Sequence, residues 1–349
     1  MKLGQAFDPR ANALNAFRLV LAVVVILWHA FPLTGRDVSF WPLHQLLSEV
    51  EVDGFFTISG FLITASWFRR PRVRDYLTAR ALRILPGFYT CLVVTAFVAA
   101  PIGVAMQGGS ASALLRSSAP IEYVGKNIGV WMLQFDIGAT PHGIPIAGVW
   151  NGSLWTLGWE LICYLAVVVL GVWGLLNRRW FLPIALVLLL AISLVPWAEL
   201  LPPIVNALPA IGARFGLMFG AGALVYQFRN VLPARWSLVA VSMAVVLAAS
   251  FLPNYRLVAA IPLAYAIIVA GALIRNERFT VHTDLSYGMY IYAFPIQQLL
   301  VIGGFGWMNP LAFWILAATA TWPFAALSWL VIEKPAMSWK SRFLPSGAP

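Results

Sequence analysis

Apolar runs of about twenty residues recur from one end of this 349-residue chain to the other, and they constrain its fold more than any other feature. In hydrocarbon a backbone can satisfy its own N–H and C=O groups only as a helix or a closed barrel. Barrel strands need about ten residues, so runs of this length predict helices. Ten are expected to span a membrane, at 14–33, 50–68, 84–104, 152–176, 181–198, 205–228, 235–252, 256–274, 283–303 and 309–332. The expected fold is an all-α polytopic bundle forming one transmembrane domain over residues 1–349. A composition that is 61% hydrophobic and 10% charged agrees with it. The first run is not read as a cleaved signal, because Arg18 interrupts it and another span follows closely.

Lys and Arg cluster after every second span: "RRPRVRDYLTARALR" at 69–83, then "NRRW", "FRNVLPAR", "RNER" and "EKPAMSWKSR". The alternate connections hold little beyond Arg36, Arg116 and Lys126. By the positive-inside rule both termini are expected in the cytoplasm. The net charge of +10 is then a signal of topology and lipid headgroups, spread over five loops and unsuited to a nucleic-acid partner. Cys91 and Cys163 fall in expected spans without metal-ligand spacing, so neither a disulfide nor a metal site is expected. Residues 105–150, rich in Gly, Ser and Pro, form the longest outward connection and read either as a lid facing the acceptor or as a plain connector. Gly212, Gly216 and Gly220, spaced by four, suggest a helix-packing face.

Within the first span stand two ionisable residues, Arg18 and His29. Eleven helical steps return to nearly the same face about 16 Å further on, so the pair marks one polar stripe running from inside to outside. Snorkelling of Arg18 and interfacial hydrogen bonding of His29 are the plainer alternatives. Glu49, Glu51 and Asp53 precede the second span, with Asp53 near the depth of His29. That carboxylate could orient the imidazole, or simply complement a helix N-terminus. Ser59 and Gly60 read as small residues for close helix approach. Arg80 and Arg83 share a helical face just before the third span, where guanidinium forks suit the phosphates of a cytosolic ligand. Glu160 lies about two turns inside the fourth span with Tyr164 one turn below, and a carboxylate there is expected to find a partner or a proton.

Together these blocks resemble the acyltransferase-three family of integral membrane O-acyltransferases. Arg18 and His29 match its R-x10-H signature, and "VDGFFTISGFLIT", "RALRILPGFY", "LWTLGWELICYL", "LSYGMYIYAFPI" and "LVIEKPA" are similar to its later blocks, in the family's order up to residue 336. The resemblance implies a ten-helix bacterial inner-membrane enzyme. Such an enzyme moves an acyl group, most often acetyl, from cytosolic acyl-CoA to an acceptor hydroxyl, frequently on an envelope or secreted polysaccharide. It places His29 on the catalytic histidine and Arg18 on its partner, Arg80 and Arg83 on the acyl-donor pair, and Glu160 on the fourth-span glutamate. Two departures stand out: Ala293 where many members have histidine, and Gly54 in place of a bulky apolar residue, expected to loosen that helix start. A fused esterase-like domain, carried by some members, is not expected. His29 is expected to act as general base or as transient acyl carrier, oriented by Asp53 or Glu160. The competing class is a secondary transporter or flippase of a glycan or lipid intermediate. Against it, no inverted repeat of broken helices is found, and a transporter has no evident need for Arg80 and Arg83.

Overall fold

The computed structural model describes residues 1–274 and 283–339. Among them all regular elements are helical. The ten longest described helices, in chain order, are α1 (Leu14–Leu33), α2 (Val50–Arg69), α3 (Val73–Val94), α4 (Trp155–Val172), α5 (Phe181–Ser193), α6 (Ala207–Gln227), α7 (Trp236–Ala249), α8 (Arg256–Leu273), α9 (Ser286–Ile302) and α10 (Pro310–Ser328). Six are long and apolar enough to cross a bilayer: α1, α3 with its continuation to Met106, α4, α6, α8, and α10 with its continuation to Ser338. The other four fall short for different reasons. With 13 and 14 residues, α5 and α7 reach only about 20 Å, against about 30 Å of hydrocarbon. α9 has 17 residues, and acids at Glu51 and Asp53 with Arg69 dilute the hydropathy of α2. The chain is a multi-pass membrane protein, with six candidate spans among the described residues. Arg275 and Arg278 of "RNER", and Lys340 and Arg342 of the last basic segment, lie outside the described residues.

The basic stretch ahead of the third span is itself helical. α3 begins at Val73, eleven residues before the expected start, with Asp75 in its first turn complementing the helix dipole. It runs on through a π-helical turn at Thr95–Ala99 to Met106, 34 residues in all and about 50 Å long.

By internal contacts the chain divides into two compact units. The first comprises Met1–Leu21, Phe40–Tyr76 and Trp159–His282. Its centre is α6, packed on α2, α5 and α8. A Cβ on Gly60 would stand 1.9 Å from the carbonyl oxygen of Phe219, and one on Gly222 2.0 Å from that of Thr57. The backbones of α2 and α6 therefore touch, as expected for Gly60. Gly212, Gly216 and Gly220 behave as the packing face expected of them, against Trp159, Leu189 and Leu186. Gly54 does not loosen α2: a Cβ there would lie 2.8 Å from Cδ1 of Leu21, so its absence draws α2 closer to α1. Ile58, Phe61, Val225 and Ile268 fill the core between these helices.

The second unit comprises Ala22–Ser39, Leu77–Gly158 and Thr283–Pro349. Here α9 packs on α10, with Gly288 admitting the backbone of Ala325. Pro295 lacks an N–H, which strips the Ile291 carbonyl of its helical donor. Asn151 Nδ2, at 2.8 Å, and Cys91 Sγ, at 3.2 Å, donate to that carbonyl instead. The 105–150 connection is packed and partly helical, with short helices at Ala111–Arg116 and Ala119–Asn127. Gln298 of α9 donates to the carbonyls of Ile146 (2.9 Å) and Val149 (2.6 Å), and Trp150 is wholly buried.

Candidate active site

Arg18 and His29 lie on one uninterrupted helix, α1, and both are half-buried. In the second unit two buried-facing donors hold the backbone of α1: Gln297 Nε2 to Ile26 O at 3.0 Å and Trp314 Nε1 to Val23 O at 2.9 Å. One turn before Gln297, the ring of Phe294 meets His29 edge-on, 5.1 Å between centroids. His29 Nδ1 lies 2.8 Å from the carbonyl oxygen of Val25. A carbonyl only accepts, so in the neutral ring Nδ1 carries the proton and Nε2 the lone pair. Among the described residues Nε2 has no hydrogen-bond partner. The imidazole is thus presented as a base with its second nitrogen available.

The orienting contact expected from a carboxylate is made by this backbone oxygen. Asp53 is engaged elsewhere: its Oδ1 accepts from Arg214 Nε at 3.0 Å, and its Oδ2 from Tyr255 Oη and Arg256 Nε, each at 2.5 Å. Arg256 also pairs with Glu49 at 2.6 Å. With no exposed side-chain surface, Asp53 reads as the anionic centre of a buried ion cluster joining α2, α6 and α8. The sequence reading overlooked Arg214, treating its stretch only as a glycine face. A charged residue inside an apolar run was the signal that could have found it.

Glu160 finds the partners its depth demands. Its Oε1 accepts from Ser59 Oγ at 2.9 Å and from the hydroxyl of Tyr164, the residue one turn below it on α4. Tyr76 in turn donates to the Tyr164 carbonyl at 3.2 Å. Ser59 therefore does more than permit close approach, since it is a hydrogen-bond donor to the fourth-span carboxylate.

Arg80 and Arg83 lie one turn apart on α3, both half-buried. Arg83 is ion-paired with Asp284, whose Oδ1 also accepts from the Ser286 amide at 3.2 Å and so caps the start of α9. The guanidinium stands 6.0 Å from the ring of Trp329. Asp284 was absent from the sequence-based site, although it is an acid within an expected span. Among the described residues no group of His, Cys, Asp and Glu could hold a metal ion. His29, Arg80 and Arg83 belong to the second unit, and Arg18, Asp53 and Glu160 to the first.

A family model described as an acyltransferase domain, acyltransferase 3, matches residues 11–333, nearly the whole chain. The chain belongs to the acyltransferase-three family. An "O-acetyl transferase" of Shigella phage Sf6 is 30% identical over 357 residues, covering 97% of this chain and 98% of the phage protein. A "Nodulation protein 10" of Rhizobium leguminosarum bv. viciae is 27% identical over 356 residues, covering 93% of each. No solved structure matches. For this acyltransferase-three protein, the apolar helices and the full-length match together make it a multi-pass membrane acyltransferase.

Proposed function

We propose that the protein is an O-acyltransferase that takes an acetyl group from cytosolic acetyl-CoA and places it on a hydroxyl of an extracytoplasmic acceptor, an envelope or secreted polysaccharide. The observation carrying this reading is the His29 imidazole, with Nδ1 tied to the Val25 carbonyl and Nε2 left as a base. The phage relative, named an O-acetyl transferase, supports acetyl as the group moved. Both termini lie in the cytoplasm and all ten long helices form the membrane bundle in this proposal.

Arg80 and Arg83 take the phosphates of acyl-CoA at the basic end of α3, with Arg83 pre-aimed by Asp284, and Arg18 lines the path along α1 towards His29. His29 Nε2 removes the acceptor hydroxyl proton as its oxygen attacks the thioester carbonyl. The tetrahedral intermediate collapses with cleavage of the C–S bond. The thiolate takes the proton back from the imidazolium, giving an ester and free CoA. In the covalent variant Nε2 itself attacks the thioester carbonyl and the C–S bond breaks to release the CoA thiolate. The acceptor oxygen then attacks the acyl-imidazole, the C–N bond breaks to restore the neutral ring, and the acceptor proton passes to the thiolate. Glu160, held by Ser59 and Tyr164, serves as a positioning residue. Asp53 keeps the α2, α6 and α8 ends together instead of orienting His29.

The test is acetyl transfer and acetyl-CoA hydrolysis by purified protein carrying His29→Ala or His29→Gln, with folding verified by melting temperature. Loss of about 10²–10⁴-fold in both variants is expected for a general base. Undiminished turnover in either rules out this role for His29, and a wild-type protein that never cleaves the thioester favours the transporter reading.

A further inference from the structure

The first unit contains a cavity of about 720 Å³ lined by none of the residues placed above in acyl transfer, within the range of about 300–1,000 Å³ typical of small-molecule sites. It lies where α2 and α6 end, under the N-terminal segment. Its lining includes Arg69, Arg179 and Arg229, the aromatic rings of Phe7, Phe68 and Tyr226, and Gln227, and it includes no acid. Asp8 is the acid nearest in sequence to this lining, and its Oδ1 accepts from the Arg10 amide at 2.8 Å.

The site is held in shape by contacts independent of any ligand. Gly4 N donates to the Arg229 carbonyl and Leu3 N to that of Leu232, each at 2.8 Å, which pins the N-terminal segment over the end of α6. Phe68 stacks on Tyr226 with centroids 5.8 Å apart and rings 24° from parallel, while the Arg229 guanidinium lies 4.0 Å from the centroid of the Tyr226 ring and donates to the Tyr226 carbonyl at 2.9 Å. Gln227 Nε2 donates to the Leu176 and Arg178 carbonyls, which fixes the turn carrying Arg179. Its Oε1 has no hydrogen-bond partner among the described residues.

We propose that this cavity binds an organic phosphate, its oxyanions on Arg69, Arg179 and Arg229 and its apolar or aromatic part against Phe68 and Tyr226. Three guanidiniums without a lining carboxylate favour a multiply charged anion. Two sources share that chemistry, a soluble nucleotide held apart from the donor arginines of α3 and an anionic phospholipid headgroup, and neither depends on the donor reading above.

The test uses full-length protein in nanodiscs of neutral phosphatidylcholine, titrated with adenosine 3′,5′-bisphosphate, and in parallel native mass spectrometry of protein carrying phosphatidylglycerol. Wild type and Arg179→Glu are compared, with Arg229→Gln as a second variant. Arg179 is exposed, so Arg179→Glu is expected to fold like wild type, which its melting temperature checks. Nucleotide affinity reduced about tenfold or more in Arg179→Glu identifies the nucleotide source. Retained phosphatidylglycerol that is lost in Arg179→Glu, with no nucleotide binding, identifies the lipid source. If neither probe binds, or if binding ignores both substitutions, the cavity is not a phosphate site. Because no thioester is cleaved in these measurements, their failure leaves the role of His29 untouched.

Discussion

At the scale of single residues, what matters is which polar groups are paired and which are left available. His29 combines a fixed proton on Nδ1 with an available lone pair, the arrangement a base requires. Arg83 is different, because an internal carboxylate already holds it. Asp284 is nearly buried, with 9% of its side chain exposed against 16% for Arg83, so replacing it strands a guanidinium in a poorly hydrated place. Asp284→Asn is expected to cost about 1–3 kcal/mol, read as a lower melting temperature. It should also raise the KM for acetyl-CoA more than it lowers kcat, because Arg83 loses its aim. An unchanged KM with a lowered melting temperature would reduce Asp284 to a cap for α9.

Between elements, glycine decides how near two helices come. Where α2 crosses α6, Gly60 and Gly222 each face a carbonyl oxygen of the other helix at a distance no Cβ tolerates. Since the obstacle is backbone, it cannot rotate aside. Gly60→Ala and Gly222→Ala are therefore expected to destabilise by about 1–3 kcal/mol each. Because both separate the same pair of helices, the double variant should cost less than the sum. Gly125→Ala, with nothing within 4 Å of its Cβ, is the control and should melt like wild type. Denaturation in detergent followed by tryptophan fluorescence gives these values. Equal stability of the Gly60 variant would mean that α2 and α6 do not touch there. The same division between backbone and side chain explains Asn151, which supplies the donor that Pro295 removes from α9.

For the whole molecule, topology is the quantity most directly tested. Cys91 and Cys163 are both buried, so a single introduced cysteine reports on its own position. Ser112→Cys, in the 105–150 connection, should react with an impermeant maleimide in intact cells, whereas Arg178→Cys should react only after permeabilisation. The reverse pattern would invert the proposed orientation and put the basic segments outside. The sequence alone determined the helical class, the multi-pass membrane character and the family, because length and apolarity of a run leave lipid-exposed backbone one solution and the signature blocks are contiguous in the chain. It also marked Arg18, His29, Arg80, Arg83 and Glu160 as residues whose placement needs explaining, and it paired Glu160 with Tyr164 through helical periodicity. Only the tertiary structure decided that Asp53 is gathered by Arg214, Tyr255 and Arg256, that Arg83 meets Asp284 from two hundred residues away, and that α3 begins in the basic segment. The physical reason is range: burial and periodicity act within one segment and can be read along it, whereas the partner of a buried charge is chosen by which distant helix arrives beside it.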